Sequence, residues 1–296
     1  MIHTENLWKR YRGHDAVRGI SFSVPEGSAY ALIGANGAGK TTTLKILMNI
    51  LEPTSGNASV LGVDSRRISH RELNRIGYVS ENQQMPERLT VEEYFGYLRP
   101  FYIRWDRQLE SSLRALLRLP ATRRVGALSH GMRMKMALAC ALPFRPDILI
   151  LDEPFSGLDP LIRDEFMDGV LGQAGETTIL MSTHELGEVE GVATHVAFVE
   201  EGKLLFDEPM DQLHKRFRTV RIVFDHAAKM PKEPTPDWLQ LAADGNTLEF
   251  IDSHFSEDFS NERLNARFHG IRSIETEPVP LRRIFTALAR AVRDAA

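Results

Sequence analysis

The sequence predicts an α/β fold: a mostly parallel sheet covered on both faces, an inserted helical subdomain, and a small C-terminal α+β domain. Three observations predict it. Within residues 1–214, short apolar runs alternate with helical patterns, the arrangement that buries a parallel sheet between helices. From about residue 82 to 142 that alternation stops and helical patterns follow one another, which marks an insertion. From residue 215 to 296 the strands become alternating and are separated by turn residues, the mark of a second α+β domain.

Taken in order, ISFSVPEGSAYALI (20–33) reads as two strands around the Pro25–Gly27 turn. TTTLKILMNIL reads as a helix, and ASVLGV (58–63) and IGYV (76–79) as short strands. Between Thr90 and Leu142 lie three helical patterns, VEEYFGYL, RQLESSLRALLRL and GMRMKMALACAL. ILILDEP (148–154), TTILMST (177–183) and HVAFVEEGKLLF (195–206) are continuous enough to be buried strands, with helical patterns between them. In the second domain TVRIVF and LQLAADGNTLEFI read as strands, with Asp244–Gly245 as a turn and MPKEPTPDW as a loop. The chain ends in an amphipathic helix with Leu281, Ile284, Phe285 and Leu288 on one face and Pro280 at its first position.

Composition bounds the function. A hydrophobic share of 43% and a charged share of 26% are those of an ordinary globular chain. The formal net charge of −4 carries no electrostatic footprint for nucleic acid. The single cysteine, Cys140, sits in the apolar ALACAL run and is expected to be a small buried residue. The start, MIHTENLWKRYRG, lacks the apolar core of a signal peptide, and no run reaches the roughly 18 apolar residues that span a bilayer. Any membrane role is therefore expected to need a partner.

Three stretches carry chemistry. GANGAGKT, Gly34 to Thr41, fits G-x-x-x-x-G-K-[ST] and lies between an apolar strand and a helix, the context that pattern requires. Its glycines let backbone N–H groups close around phosphate oxygens, Lys40 supplies a point charge for the β- and γ-phosphates, and the Thr41 hydroxyl, with Thr42 beside it, is a Mg²⁺ ligand. A P-loop NTPase core follows from that motif. ILILDEP ends a buried strand in Asp152 and Glu153, at the sheet edge where open α/β folds bind ligands. Asp152 suits Mg²⁺, and Glu153 suits the role of general base for an attacking water. TTILMSTHE puts His184 just past another buried strand, placed to hydrogen-bond a γ-phosphate. The segment LSHGM (128–132) starts a helix with Ser129 as N-cap, and such an end also suits an anion.

In this order the elements resemble the nucleotide-binding subunit of an ABC transporter over residues 1 to about 212, and the tail from 215 onward resembles the C-terminal extension of some drug- or antibiotic-export ATPase subunits. GANGAGKT is similar to the Walker A motif, ILILDEP to Walker B, LSHGM to the signature LSGGQ, FSGLDP to the D-loop and STHE to the H-switch. IGYVSENQQMPERLTVEEY resembles the Q-loop, with Glu81 in the place of the glutamine when aligned without gaps and Gln83 or Gln84 as the alternative if the loop is reshaped. LSHGM departs from its motif at His130 and Met132.

The resemblance implies ATP and Mg²⁺ as ligands. Tyr11 would stack on adenine. Gly34, Asn36, Gly37, Ala38, Gly39, Lys40, Thr41 and Thr42 would hold the phosphates, and Thr41, Asp152 and Glu81 the Mg²⁺. Glu153 would polarise water and His184 hold the γ-phosphate. Ser129 and Gly131 would face ATP bound by a second subunit, and Asp159 would report across that interface. The implied partners are a transmembrane permease and a second ATP-binding subunit, identical or not, on the cytoplasmic face of the membrane, with no nucleic acid. The implied activity is ATP hydrolysis coupled to transport, with export favoured. Two other readings are a soluble ABC ATPase acting on nucleic acid or ribosomes and a regulatory ATPase. His130 is either a solvated substitution or an added pH-sensitive contact at the dimer interface.

Overall fold

The computed structural model describes residues 1–81, 83–156, 163, 177–231, 235–256 and 264–294. The chain divides into two compact units, Met1–Asp207 and Glu208–Ala296. That break lies ahead of the 214/215 boundary read from the sequence. The helix after it holds to the second unit, where Arg216 bonds Glu208 at 2.7 and 2.5 Å and the Ser253 carbonyl at 2.7 Å.

The first unit holds two sheets. β1 (Ile2–Tyr11), β2 (His14–Val24), β4 (Ser55–Val60) and β5 (Val63–Asp64) form an antiparallel sheet in the order β2-β1-β4-β5. β3 (Ala29–Ile33), β6 (Ile76–Ser80), β7 (Ile148–Asp152), β8 (Thr178–Thr183), β9 (His195–Glu200) and β10 (Lys203–Pro209) form the second, in the order β10-β9-β3-β8-β7-β6. In it β6, β7, β8, β3 and β9 pair in parallel. Every residue of β7 and β8 is buried, which is why both read as unbroken runs rather than as alternation. α1 (Lys40–Leu47) follows β3, and its Leu44 and Leu47 join Ile2, Leu7 and Ile20 of one sheet to Leu32, Ile150 and Leu180 of the other in a single core. Full burial of each such side chain contributes about 1.5–3 kcal/mol.

A single-turn helix, α2 (His70–Leu73), precedes β6. The helical insertion comprises α3 (Val91–Leu98), α4 (Arg107–Leu116) and α5 (His130–Ala141). Each start is capped by a side chain that accepts orphan N–H groups: Thr90 with Glu93 in a capping box, Asp106, and Ser129. Glu110 is buried between them and accepts from Arg99 at 2.8 and 2.7 Å, Trp105 at 2.8 Å and Arg114 at 3.2 Å. Cys140 is buried, as expected, and burial pushes its thiol well above the ordinary range.

In the second unit α6 (Met210–Arg216) leads into an antiparallel sheet of β11 (Arg218–Phe224), β12 (Trp238–Asp244), β13 (Thr247–Asp252) and β14 (Ile271–Pro278), ordered β12-β13-β11-β14. Val220, Ile222, Phe250 and Trp238 build its core, the last two stacked at 4.3 Å. α7 (Leu281–Asp294) buries Leu281, Ile284, Phe285 and Ala287, while Leu288 is half-buried. The helix begins at Leu281, not Pro280. Pro280 instead offers its carbonyl to Arg283 and Ile284 at 2.8 and 3.2 Å.

Candidate functional site

Four neighbouring strands end within one residue of a common level at the carboxyl edge of the parallel sheet. Ser80 of β6 pairs with Asp152 of β7, Asp152 with Ser182 of β8, and Thr183 of β8 with Ile33 of β3. The residue that follows each strand end is Glu81, Glu153, His184 or Gly34, the last two one residue beyond the first two. Sheet register alone therefore brings together four segments that are far apart in sequence.

The Gly34–Thr41 loop closes on this edge. Gly34 N–H donates to the Thr183 carbonyl at 3.2 Å, and a Cβ at Gly34 would stand 2.1 Å from the Val199 oxygen. Gly39 has φ 101°, and a Cβ there would meet the Ala16 carbonyl at 2.3 Å. Only glycine fits either position. Gly39 is also the N-cap of α1, and no side chain caps that end, so its first N–H groups are free to meet an anion. Lys40 is only 4% exposed. Its Nζ donates to the carbonyls of Gly34 at 2.7 Å and Ala35 at 3.2 Å, and pairs with Glu153 Oε1 at 3.0 Å.

Asp152 is buried and uses Oδ1 to accept from Thr41 Oγ1 at 2.9 Å and Ser182 Oγ at 2.7 Å. Burial pushes its carboxyl up, and these two hydrogen bonds only partly offset that. Glu153 has φ 51°, a left-handed backbone that is uncommon for a side chain of this kind. Its N–H reaches both the Ser182 carbonyl and the Ser182 hydroxyl at 3.1 Å, which holds the strained turn. Its carboxylate bridges Lys40 through Oε1 and His184 Nδ1 through Oε2, the latter at 2.8 Å. Glu81 donates its N–H to the Asp152 carbonyl at 3.1 Å and accepts from Ser156 Oγ at 2.6 Å.

These groups border a cavity of about 430 Å³ lined by Tyr11, Asn36 to Thr42, Glu81 and Glu153, with His14 and Ala16. Tyr11 is 43% exposed at its mouth, with Lys9 Nζ 5.3 Å from the ring centroid. Its free face suits a flat ligand. Gln83 and Gln84 line a different cavity, of about 550 Å³, so Glu81 is the member of that trio beside the phosphate loop. Ser129 and Gly131 are not brought to the loop. They open α5, where Ser129 Oγ accepts from Met132 N–H at 3.3 Å. Asp159 lies outside the described residues.

Sequence reasoning missed Ser182, His14 and Ala16. Ser182 had a signal, a hydroxyl at the end of an otherwise apolar strand. His14 and Ala16 had none, because β2 brings them to the loop only through its pairing with β1.

A glycine loop from which a buried lysine and a helix start converge, beside a carboxylate pair at a sheet edge, defines a P-loop domain that binds and hydrolyses a nucleoside triphosphate. The comparisons narrow this. The family profile described as ABC transporter matches residues 17–156. The ABC transporter ATP-binding protein YxlF of Bacillus subtilis (strain 168) is 34% identical over 247 residues, covering 81% of this chain and 80% of that protein. The bacitracin transport ATP-binding protein BcrA of Bacillus licheniformis is 35% identical over 222 residues, covering 74% and 72%. Among solved structures, an ATP-binding subunit of an ABC transporter superposes with TM-score 0.65 at 28% identity, covering 72% of this chain and 92% of that one. A dimeric post-hydrolysis state of the ATP-binding cassette MJ0796, bound to ADP and Pi, has TM-score 0.63 at 21% identity, covering 71% and 99%. The chain belongs to the ATP-binding proteins of ABC transporters and is an ATPase of that family. Among the described residues no helix is long and apolar enough to cross a membrane.

Proposed function

We propose that this chain hydrolyses MgATP as one half of a cassette dimer and so drives export through a separate membrane permease. The observation that carries the reading is the shared level of Ser80, Asp152 and Ser182, with Ile33 opposite Thr183. It supports a site in which Lys40, Glu81 and Glu153 border one cavity and His184 is bonded to Glu153. Export is supported by the likeness to BcrA, whose name gives bacitracin transport. Dimerisation is supported by the position of Ser129 and Gly131, away from the chain's own phosphate loop, and by the dimeric MJ0796 cassette.

The geometry supports the following roles. Tyr11 stacks on adenine, and the loop from Gly34 to Thr42 wraps the phosphates. Lys40 exchanges its Glu153 partner for phosphate oxygen. Glu153, so released, orients and polarises water, and His184 holds the γ-phosphate. The oxygen-only set of Thr41, Asp152 and Glu81 fits Mg²⁺: Asp152 is buried beside the Thr41 hydroxyl at 2.9 Å. Bound there, Mg²⁺ would neutralise charge on the β- and γ-phosphate oxygens. Asp159, in the D-loop, is assigned to communication between the two halves. We place the chain at the cytoplasmic membrane face through its permease, with residues 208–296 as an accessory domain.

Affinity purification of the tagged chain from detergent-solubilised membranes of its own cells tests this. A multi-span membrane protein should co-purify, and the pair should hydrolyse ATP faster than the chain alone. A chain that stays without a membrane partner and gains activity only when RNA or DNA is added would overturn the export reading.

A further inference from the structure

Among the described residues, Glu81 is the one that lines both the nucleotide cavity and the groove beside it. On one side is the nucleotide cavity. On the other is the 550 Å³ groove walled by Gln83, Gln84, Glu87, Arg133, Met134 and His130. The Glu81 carboxylate is not left to choose its place: Ser156 Oγ holds Oε1 at 2.6 Å. Ser156 is held in turn, because its carbonyl meets His130 Nε2 at 3.3 Å. A carbonyl can only accept, so Nε2 carries the proton. His130 thus points into its own chain's groove, at the first residue of α5, rather than standing as a bare surface substitution.

We propose that His130 and Ser156 are positioning residues for Glu81. His130 fixes the Ser156 main chain, the Ser156 hydroxyl fixes the carboxylate, and together they set where that negative charge stands between the groove and the nucleotide. The helix start that faces a second subunit is thereby tied to the metal side of the chain's own site. The inference rests on the reading that Glu81 faces the metal.

Mn²⁺ binding to the full chain with a non-hydrolysable ATP analogue, followed by electron paramagnetic resonance, tests it, with melting temperature recorded for every variant. Glu81→Ala, Ser156→Ala and His130→Ala should each weaken Mn²⁺ about tenfold, the lower end of the loss seen when groups orienting a metal ligand are removed. In the Glu81→Ala background the other two should add nothing. His130→Gln, which keeps a donor, and Ser156→Thr, which keeps a hydroxyl, should recover most of the affinity. If Glu81→Ala binds Mn²⁺ as the parent does, the placement of Glu81 at the metal fails and the link with it. If Glu81→Ala weakens binding while Ser156→Ala and His130→Ala do not, the link alone is overturned. Losses that add in the Glu81→Ala background, or a lowered melting temperature with unchanged Mn²⁺ affinity, overturn it as well.

Discussion

Glu153→Gln should destabilise the nucleotide-free chain and at the same time tighten its hold on nucleotide. Lys40 is 4% and Glu153 12% exposed, with 3.0 Å between their charged atoms. At that distance and an effective dielectric near 20 the attraction is about 5 kcal/mol before desolvation is subtracted. Removing one partner of a buried pair costs about 3–5 kcal/mol when nothing else holds the remaining charge. Lys40 keeps two carbonyl acceptors, Gly34 and Ala35, so about 2 kcal/mol is the expected loss. Over a unit of this size that is a fall of about 4–8 °C in melting temperature. The amide keeps the carboxylate's shape, so no cavity confuses the result. Once phosphate replaces Glu153 as the partner of Lys40, the bound state loses little. The thermodynamic cycle then requires nucleotide to bind more tightly by the same 2 kcal/mol, up to about thirtyfold. MgADP is the ligand to use, because it reaches Lys40 without hydrolysis and without the γ-phosphate that closes a dimer. Calorimetric titration gives the affinity, and differential scanning calorimetry the stability. An unchanged or weaker ADP affinity, or an unchanged melting temperature, would refute the exchange of partners.

Two further outcomes follow from the packing. Gly39→Ala must place a methyl 2.3 Å from the Ala16 carbonyl at φ 101°, so it should cost about 3 kcal/mol or more and abolish ADP binding; a variant that melts and binds like the parent would show that the loop relaxes freely. Glu110 anchors the helical insertion: burial pushes its carboxyl up, but the hydrogen bonds from Arg99 and Trp105 and the Arg99 charge outweigh that, and the net shift is downward. A carboxyl lowered in the folded state contributes stability above the ordinary glutamate range, ~4.3, and loses it as pH falls below that range. Urea midpoints should therefore drop more steeply between about pH 5 and 3 in the parent than in Glu110→Gln, and parallel curves would count against the network.

The strands of the parallel sheet were legible because they are buried on both faces, so ILILD and TILMST read as continuous apolar runs. The strand of residues 2–11 was not. IHTENLWKRY breaks its own alternation, since its pairing with β2 shifts register between Thr4 and Leu7 and Asn6 has φ 44°. Those irregularities erase the two-residue period that reveals a half-buried strand. The site was legible where its chemistry is contiguous, in GANGAGKT and in Asp152–Glu153. It was illegible where main-chain atoms do the holding. Any residue at 156 offers the carbonyl that His130 meets, so no pattern of residue types announces that contact. The domain break was displaced for a related reason: the helix of residues 210–216 belongs with the second unit through Arg216, whose partners Glu208 and Ser253 lie on either side of it in sequence.

On the roles proposed above, the Lys40–Glu153–His184 chain would let one site be stable without nucleotide and reactive with it. A lysine buried to this degree is more stable with an anion beside it, by the same margin of about 2 kcal/mol, even though two carbonyls also hold it. Glu153 is that anion, and His184 holds the same carboxylate from its other oxygen at 2.8 Å. On the proposed reading, arrival of phosphate would replace one anion beside Lys40 with another and leave the ammonium paired throughout. What changes is Glu153. It loses its cation and faces a second negative charge, which favours its turning toward water, while the left-handed turn fixed by Ser182 keeps its backbone in place. On the roles proposed above, the acid that stabilises the empty site and the base that serves the filled one would be the same group. A residue lacking the charge, as in Glu153→Gln, should separate the two roles: it should lose turnover while gaining affinity.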